Sequence, residues 1–133
     1  TLEFVGSADV YKRQTYGNTT HFCLSVAERL KKEHNWDVEV IDIRSLIPLD
    51  TETIFASVKK TGKVLIVHED KVFSGFGAEI AGIVGTEMFR YLDAPIQRVG
   101  STFTPVGFHP VLEKAILPGE ERIYNAAKAL LEY

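Results

Sequence analysis

The stretch KVLIVHEDKVFSGFGAEI, residues Lys63 to Ile80, decides the fold of this chain. Four branched apolar residues, Val64 to Val67, are typical of a strand buried on both faces, as in a parallel sheet covered by helices. Polar residues follow at once, where the carboxyl end of such a strand places loops for ligands and partners. Gly75 and Gly77 then permit a tight turn. Residues Ala78 to Met88 carry apolar side chains at helical spacing, so the unit is predicted to be strand, loop and helix.

The regions on either side of this unit repeat the alternation of strand and helix. Helical spacing predicts one helix over Asn18 to Lys32, in which Cys23 shares the buried face, and another from Pro118 to the end. A third, shorter helix is predicted between an Asp50 cap and a Gly62 stop. Strands are predicted at Val38 to Ile43 and at Pro95 to Val99. Strands alternating with helices favour one α/β domain with a mainly parallel sheet between helix layers.

Composition excludes several classes of function. The chain has 133 residues with 15 basic and 18 acidic side chains mixed along it, a formal charge of −3. Such a balance provides no electrostatic footprint for nucleic acid or for an anionic membrane. A single cysteine excludes an internal disulfide framework and suits a reducing compartment, so a cytoplasmic location is expected.

Several longer motifs resemble one family. They are VIDIRSLIPLD from Val40, VHE from Val67, GFGAEI from Gly75, DAPIQRV from Asp93 and LEKAILP from Leu112. Together they resemble the C-terminal domain of the β subunit of 2-oxo acid dehydrogenase E1 components, over Tyr16 to Tyr133, with wording most like bacterial 2-oxoisovalerate (branched-chain) enzymes. The resemblance implies a transketolase C-terminal-like fold, a three-layer α/β/α domain with a mainly parallel, mixed five-stranded sheet.

The resemblance also implies cofactors and partners. The complete enzyme uses thiamine diphosphate and magnesium to decarboxylate a 2-oxo acid and to pass the acyl group to lipoyl-E2. Both cofactors are held by other domains, and no GDG motif for magnesium and diphosphate occurs in this chain, so we expect no catalytic, cofactor or metal residue here and no activity from the fragment alone. The expected partners are the E1 α subunit or domain, a second E1 β copy and the peripheral subunit-binding domain of E2. By the same resemblance, Tyr133 with its carboxylate and Glu132 are the candidates for E2 docking.

Other residues invite a catalytic interpretation. His68 and Glu69 end the predicted central strand, but adjacent strand residues point to opposite faces and cannot easily converge on one proton. A structural or interface role is therefore predicted for both. Two interpretations stay open for His109, an interface role and a surface-loop histidine without a specific role. Gly75 and Gly77 begin a dinucleotide-like fingerprint, yet Ile80 occupies the place of its third glycine, so a structural turn is preferred.

The first fourteen residues do not fit the resemblance. Family members reach Tyr16 through an apolar strand, whereas this chain has DVYKRQ at Asp9 to Gln14, which matches one reading frame of a sequencing adapter. Residues 1–14 are therefore expected to be a non-native or disordered leader, and residues 15–133 to be the domain. The alternative is a divergent first strand, since Val10 and Tyr11 have strand propensity.

Two other functions stay open at this point. The chain could be a stand-alone α/β binding or adaptor module, or the C-terminal domain of a transketolase or deoxyxylulose phosphate synthase. The sequence leaves the identity of the 2-oxo acid undecided, and also whether α and β are fused in one polypeptide.

Overall fold

The computed structural model describes residues 2–7, 19–43, 47–71, 73, 75–101 and 119–133. Within these ranges the chain alternates between strands and helices, as the sequence predicts. The α/β class is confirmed.

Four parallel strands form the described sheet. They are β1 (Leu2–Ser7), β2 (Val38–Ile43), β3 (Val64–Lys71) and β4 (Gln97–Ser101), in the order β2-β1-β3-β4. β3 continues four residues beyond the predicted apolar run, because its backbone pairs with β4 again at Lys71 and Ser101 after an irregularity in register. A fifth strand, which would make the sheet mixed, is not among the described residues.

β1 lies in a region where a leader was expected. Leu2–Ser7 pairs with β2 along its whole length and with β3 from Glu3 to Gly6. Leu2–Ser7 therefore lies between two parallel strands and shares backbone hydrogen bonds with both. The non-native or disordered leader over residues 1–14, and its alternative as a divergent first strand, stay predictions.

Within the described ranges, four helices cover the two faces of the sheet. They are α1 (Thr19–His34), α2 (Thr51–Thr61), α3 (Phe76–Glu87) and α4 (Glu120–Glu132), and a short 3₁₀ segment (Phe89–Tyr91) follows α3. The predicted limits of α2 are confirmed. The Asp50 side chain accepts a hydrogen bond from the Thr53 amide, and Gly62 ends the helix in the left-handed region at φ 71°.

The sheet separates two hydrophobic cores. Alternate strand residues point to opposite faces, so Leu65 packs with α1 and α4 while Ile66 packs with α2 and α3. Cys23 is fully buried in the first core, as predicted from its helical face. The first core also contains Val26, Leu30, Val67, Val99, Ile123, Ala127 and Leu130, and the second contains Ile43, Ile54, Val58, Ile80, Val84 and Met88.

Candidate functional site

The last turn of α4 presents the residues predicted for docking. The Tyr133 side chain is 74 % exposed. The Glu132 carboxylate is also exposed and lies 4.0 Å from Lys128 Nζ, one turn earlier. An exposed pair of this length gains little from the contact. Glu132 and Tyr133 are therefore accessible to a partner, and the preceding Leu130 is buried in the first core and holds the helix end to the sheet.

A lysine outside the predicted set contacts this helix end. Lys63 Nζ donates a hydrogen bond to the main-chain carbonyl oxygen of Leu131, at 3.1 Å. The last turn of α4 contains no basic residue of its own. An ammonium group at a helix C-terminus satisfies a carbonyl that has no partner within the helix and opposes the negative end of the helix dipole. Sequence reasoning missed Lys63 because the two partners are 68 positions apart.

His68 lies within the second half of β3. Its side chain is 2 % exposed and lies against the first turn of α3. A Cβ atom placed on Gly77 would lie 2.5 Å from His68 Cδ2 and 3.3 Å from Ile66 Cγ2. Gly77 is therefore needed for close approach of α3 to β3, a use that differs from the turn predicted for it. Gly75 precedes α3 with φ −80°, which any residue can adopt.

The other predicted site residues give less structural information. Glu69 belongs to β3, but its side chain is outside the described part of the structure. His109 lies outside the described residues altogether. The interface roles predicted for His68, Glu69 and His109 stay predictions.

The structure keeps the two candidate regions apart. Lys63 immediately precedes β3, whereas His68 is in the second half of that strand. The five-residue advance from Lys63 to His68, at about 3.3 Å per residue, separates their backbone positions by roughly 16 Å. The α4 end and His68 therefore do not form a common site, and each must be considered by itself.

A polar cluster joins α1 to α4, and we call it the α1–α4 clasp: Arg29, Glu33, His34, Glu121 and Tyr124. The Arg29 guanidinium pairs with Glu33 at 2.9 Å and Glu121 at 2.7 Å, and it lies 3.7 Å from the centre of the Tyr124 ring. The Tyr124 hydroxyl donates to Glu33, and His34 Nε2 lies 3.4 Å from the same hydroxyl. The hydrogen bonds from Tyr124 and then Arg29 lower the pKa of Glu33. The α1–α4 clasp therefore joins α4, the helix that ends in Glu132 and Tyr133, to α1.

The lone thiol of the chain is buried. Burial raises the pKa of the Cys23 thiol to about 12, so the thiol is a poor nucleophile at neutral pH. Among the described residues, no group of three or more His, Cys, Asp or Glu side chains is arranged to hold a metal ion. Nor does any helix in the described ranges have the length and apolar character to cross a membrane.

Comparison with known sequences agrees with the resemblance described above. A model of the family described as transketolase, C-terminal domain, matches residues 15–123. The chain is 42 % identical over 118 residues to the 3-methyl-2-oxobutanoate dehydrogenase subunit beta of Mycobacterium tuberculosis, covering 88 % of this chain and 33 % of that protein. It is 44 % identical over 119 residues to the pyruvate dehydrogenase E1 component subunit beta of Rickettsia felis, covering 90 % and 36 %.

Further relatives agree. The 2-oxoisovalerate dehydrogenase subunit beta of Pseudomonas aeruginosa is 44 % identical over 118 residues, covering 89 % of this chain and 32 % of its own length. The chain thus spans about a third of the curated relatives that it matches. A solved structure titled split gene transketolase, inactive beta4 tetramer, superposes with a TM-score of 0.77 at 23 % identity, over 98 % of this chain and 39 % of that one. That likeness shows the fold, and the resemblance to E1 β subunits is confirmed by the sequence relatives.

Proposed function

Because this chain belongs to the transketolase C-terminal domain family, we propose that it works as the C-terminal domain of an E1 β subunit in a 2-oxo acid dehydrogenase complex. The observation that supports this most strongly is the identity of 42–44 % to β subunits of three such enzymes, spread over nearly nine tenths of the chain. The solved transketolase structure adds support for the fold only.

In this proposal the chain contributes assembly and docking to the reaction. Thiamine diphosphate with magnesium supplies the carbanion chemistry of the complete enzyme. The described residues offer no carboxylate group arranged for magnesium, so we assign no step of the reaction to them. The partners we propose are an E1 α subunit or domain, a second E1 β copy and the peripheral subunit-binding domain of E2. The names of the relatives, which are subunits of larger enzymes, support the first two in general terms.

We assign E2 docking to the end of α4. Glu132 and Tyr133 are exposed there, and Leu130 anchors the turn in the first core. An exposed acidic side chain at this helix end suits a basic partner domain, because opposite charges steer association and fix its register. The α1–α4 clasp joins the first half of the same helix to α1, through the contacts of Glu121 and Tyr124.

In this proposal the relatives indicate the substrate, and the cysteine content of the chain indicates the location. A branched-chain 2-oxo acid is favoured, with pyruvate as the alternative, since relatives of both kinds match at similar identity. A cytoplasmic location suits the lone cysteine, which is a buried thiol.

A binding experiment tests the docking role. The full chain is titrated with a purified peripheral subunit-binding domain from a bacterial branched-chain E2, by calorimetry at low and at physiological salt. We expect measurable binding that weakens with salt, and for Glu132→Gln a dissociation constant raised about threefold to tenfold, as for loss of one partly exposed charge contact. Glu87→Gln, at an exposed acid on α3, is the matched control and should bind as the parent does.

An activity assay tests the other half of the proposal. With magnesium, thiamine diphosphate and a 2-oxo acid, the chain alone should release no carbon dioxide above background. Decarboxylation by the chain alone would overturn the assignment of chemistry to other domains. Absence of any binding to the E2 domain at low salt would overturn the docking role.

A further inference from the structure

The contact between Lys63 and the end of α4 has a role beyond helix stability. We propose that Lys63 is a positioning residue for docking: it holds the last turn of α4 in place so that Glu132 and Tyr133 meet a basic partner in a fixed orientation. This inference rests on the docking function proposed above for the same residues.

The position of Lys63 is itself fixed by the core. The residue before it, Gly62, donates its amide to the Val58 carbonyl at 2.9 Å and accepts the Asp93 amide at 2.7 Å. The residue after it, Val64, is fully buried in the second core. The backbone on both sides of Lys63 is therefore fixed by hydrogen bonds and by burial. The conformation of the Lys63 side chain then decides which group its ammonium contacts.

The contact made by that side chain links elements on the two faces of the sheet. Gly62 ends α2, which covers the second core, whereas Leu131 is on α4, which covers the first. The ammonium group donates to the Leu131 carbonyl at 3.1 Å. Lys63 thus connects the end of α4 to the opposite helix layer through the start of the central strand.

Among the described residues, Lys63 is the basic group that hydrogen-bonds a main-chain carbonyl at the end of α4. The last turn of that helix has no basic residue, and Lys128, one turn earlier, faces the Glu132 carboxylate instead of a main-chain carbonyl. The two residues after Leu131 are largely exposed and have little packing to orient them. Fraying of this turn would leave their directions unfixed, and a partner would have to order them on binding at an entropic cost.

The experiment compares Lys63→Met with Lys63→Arg and with Lys32→Met in the full chain. Met keeps the apolar stem of lysine, Arg keeps the charge and a donor, and Lys32 is an exposed lysine on α1 that controls for the loss of one positive charge. Two quantities are measured: hydrogen exchange of the last-turn amides of α4, and the dissociation constant for the same E2 domain.

For Lys63→Met we expect exchange of those amides to accelerate about twofold to fivefold and the dissociation constant to rise by a similar factor, the range for a charge at a helix terminus. Lys63→Arg should restore both quantities, and Lys32→Met should change neither. If loss of positive charge alone governed binding to a basic domain, both Met variants would bind more tightly, and the inference would be wrong.

The remaining outcomes separate this inference from the docking function. Unchanged exchange in Lys63→Met overturns the positioning role even when Glu132→Gln weakens docking. Faster exchange with unchanged affinity also overturns it, provided that Glu132→Gln weakens docking. If Glu132→Gln binds as the parent does, the docking site itself is misplaced and the inference is overturned with it.

Discussion

At the scale of single residues, two glycines of α3 lie in opposite environments: one is tightly packed and the other is exposed. Gly77 faces β3, where a Cβ atom would collide with His68 and crowd Ile66. Gly82 faces outward, and a Cβ atom there would have no neighbour within 4 Å. A buried, tightly packed position penalises added atoms, whereas an exposed helical glycine only weakens its helix.

Alanine substitution at these two glycines should therefore change stability in opposite directions. Gly77→Ala is expected to lower the free energy of unfolding by about 1–3 kcal/mol through overpacking. Gly82→Ala, the matched control in the same helix, should raise it by about 0.5–1 kcal/mol because alanine favours the helix. Urea denaturation measures both. Equal effects of the two substitutions would show that His68 moves aside without cost.

At the scale of elements, the α1–α4 clasp joins two helices through side chains alone. Arg29 bridges carboxylates of both helices, and the Tyr124 hydroxyl of α4 reaches Glu33 of α1. Ser25 adds a hydrogen bond to Glu120 at 3.1 Å. The contact is therefore sensitive to the charge of Glu33.

Removing the Tyr124 hydroxyl should make stability less dependent on acid pH. The hydrogen bond from Tyr124 and the contact with Arg29 hold the pKa of Glu33 below its ordinary value of 4.5. A carboxyl with a lowered folded pKa contributes stability above its unfolded pKa, and this is lost as pH falls through the folded pKa. Tyr124→Phe should thus be less stable than the parent at neutral pH, with a difference that narrows below pH 4.5.

Urea midpoints at neutral and several acidic pH values measure this effect. Tyr91→Phe, on the exposed 3₁₀ segment, is the control and should follow the parent at every pH. A difference for Tyr124→Phe that stays constant down to the most acidic pH would mean that the hydroxyl acts without the Glu33 charge.

Local signals explain which elements could be predicted from sequence. β2 and α2 were predictable because apolar alternation, the Asp50 cap and the Gly62 stop all act within a few residues. The continuation of β3 to Lys71 was not, because pairing with β4 depends on backbone hydrogen bonds and not on side-chain polarity. Lys63 and the clasp were also missed, since their partners are distant in sequence: 68 positions for Lys63 and 91 for Tyr124 and Glu33.

At the scale of the whole molecule, the parallel sheet divides the interior into two cores. Ile123 of α4 is fully buried in the first core, and Ile80 of α3 is 1 % exposed in the second. The buried hydrophobic residues of the described chain form two separate clusters, one on each face of the sheet.

Substitutions in the two cores should therefore act independently. Ile80→Val and Ile123→Val are each expected to lower the free energy of unfolding by about 0.5–1.5 kcal/mol. The double variant should equal their sum to within about 0.5 kcal/mol, as for sites without shared partners. Chemical denaturation of the four proteins measures the coupling. A coupling well above that limit would show that the sheet transmits packing strain between its faces.

The burial of Cys23 makes alkylation of its thiol a measure of how often α1 separates from the sheet. A thiol that is fully enclosed and has a raised pKa reacts with an alkylating reagent only while the surrounding structure is open. Since the chain has one cysteine, the labelled fraction counts molecules that have opened at this helix. At reagent concentrations where labelling is slower than reclosure, its rate yields the opening equilibrium of α1, without a spectroscopic probe and in a mixture with partner proteins.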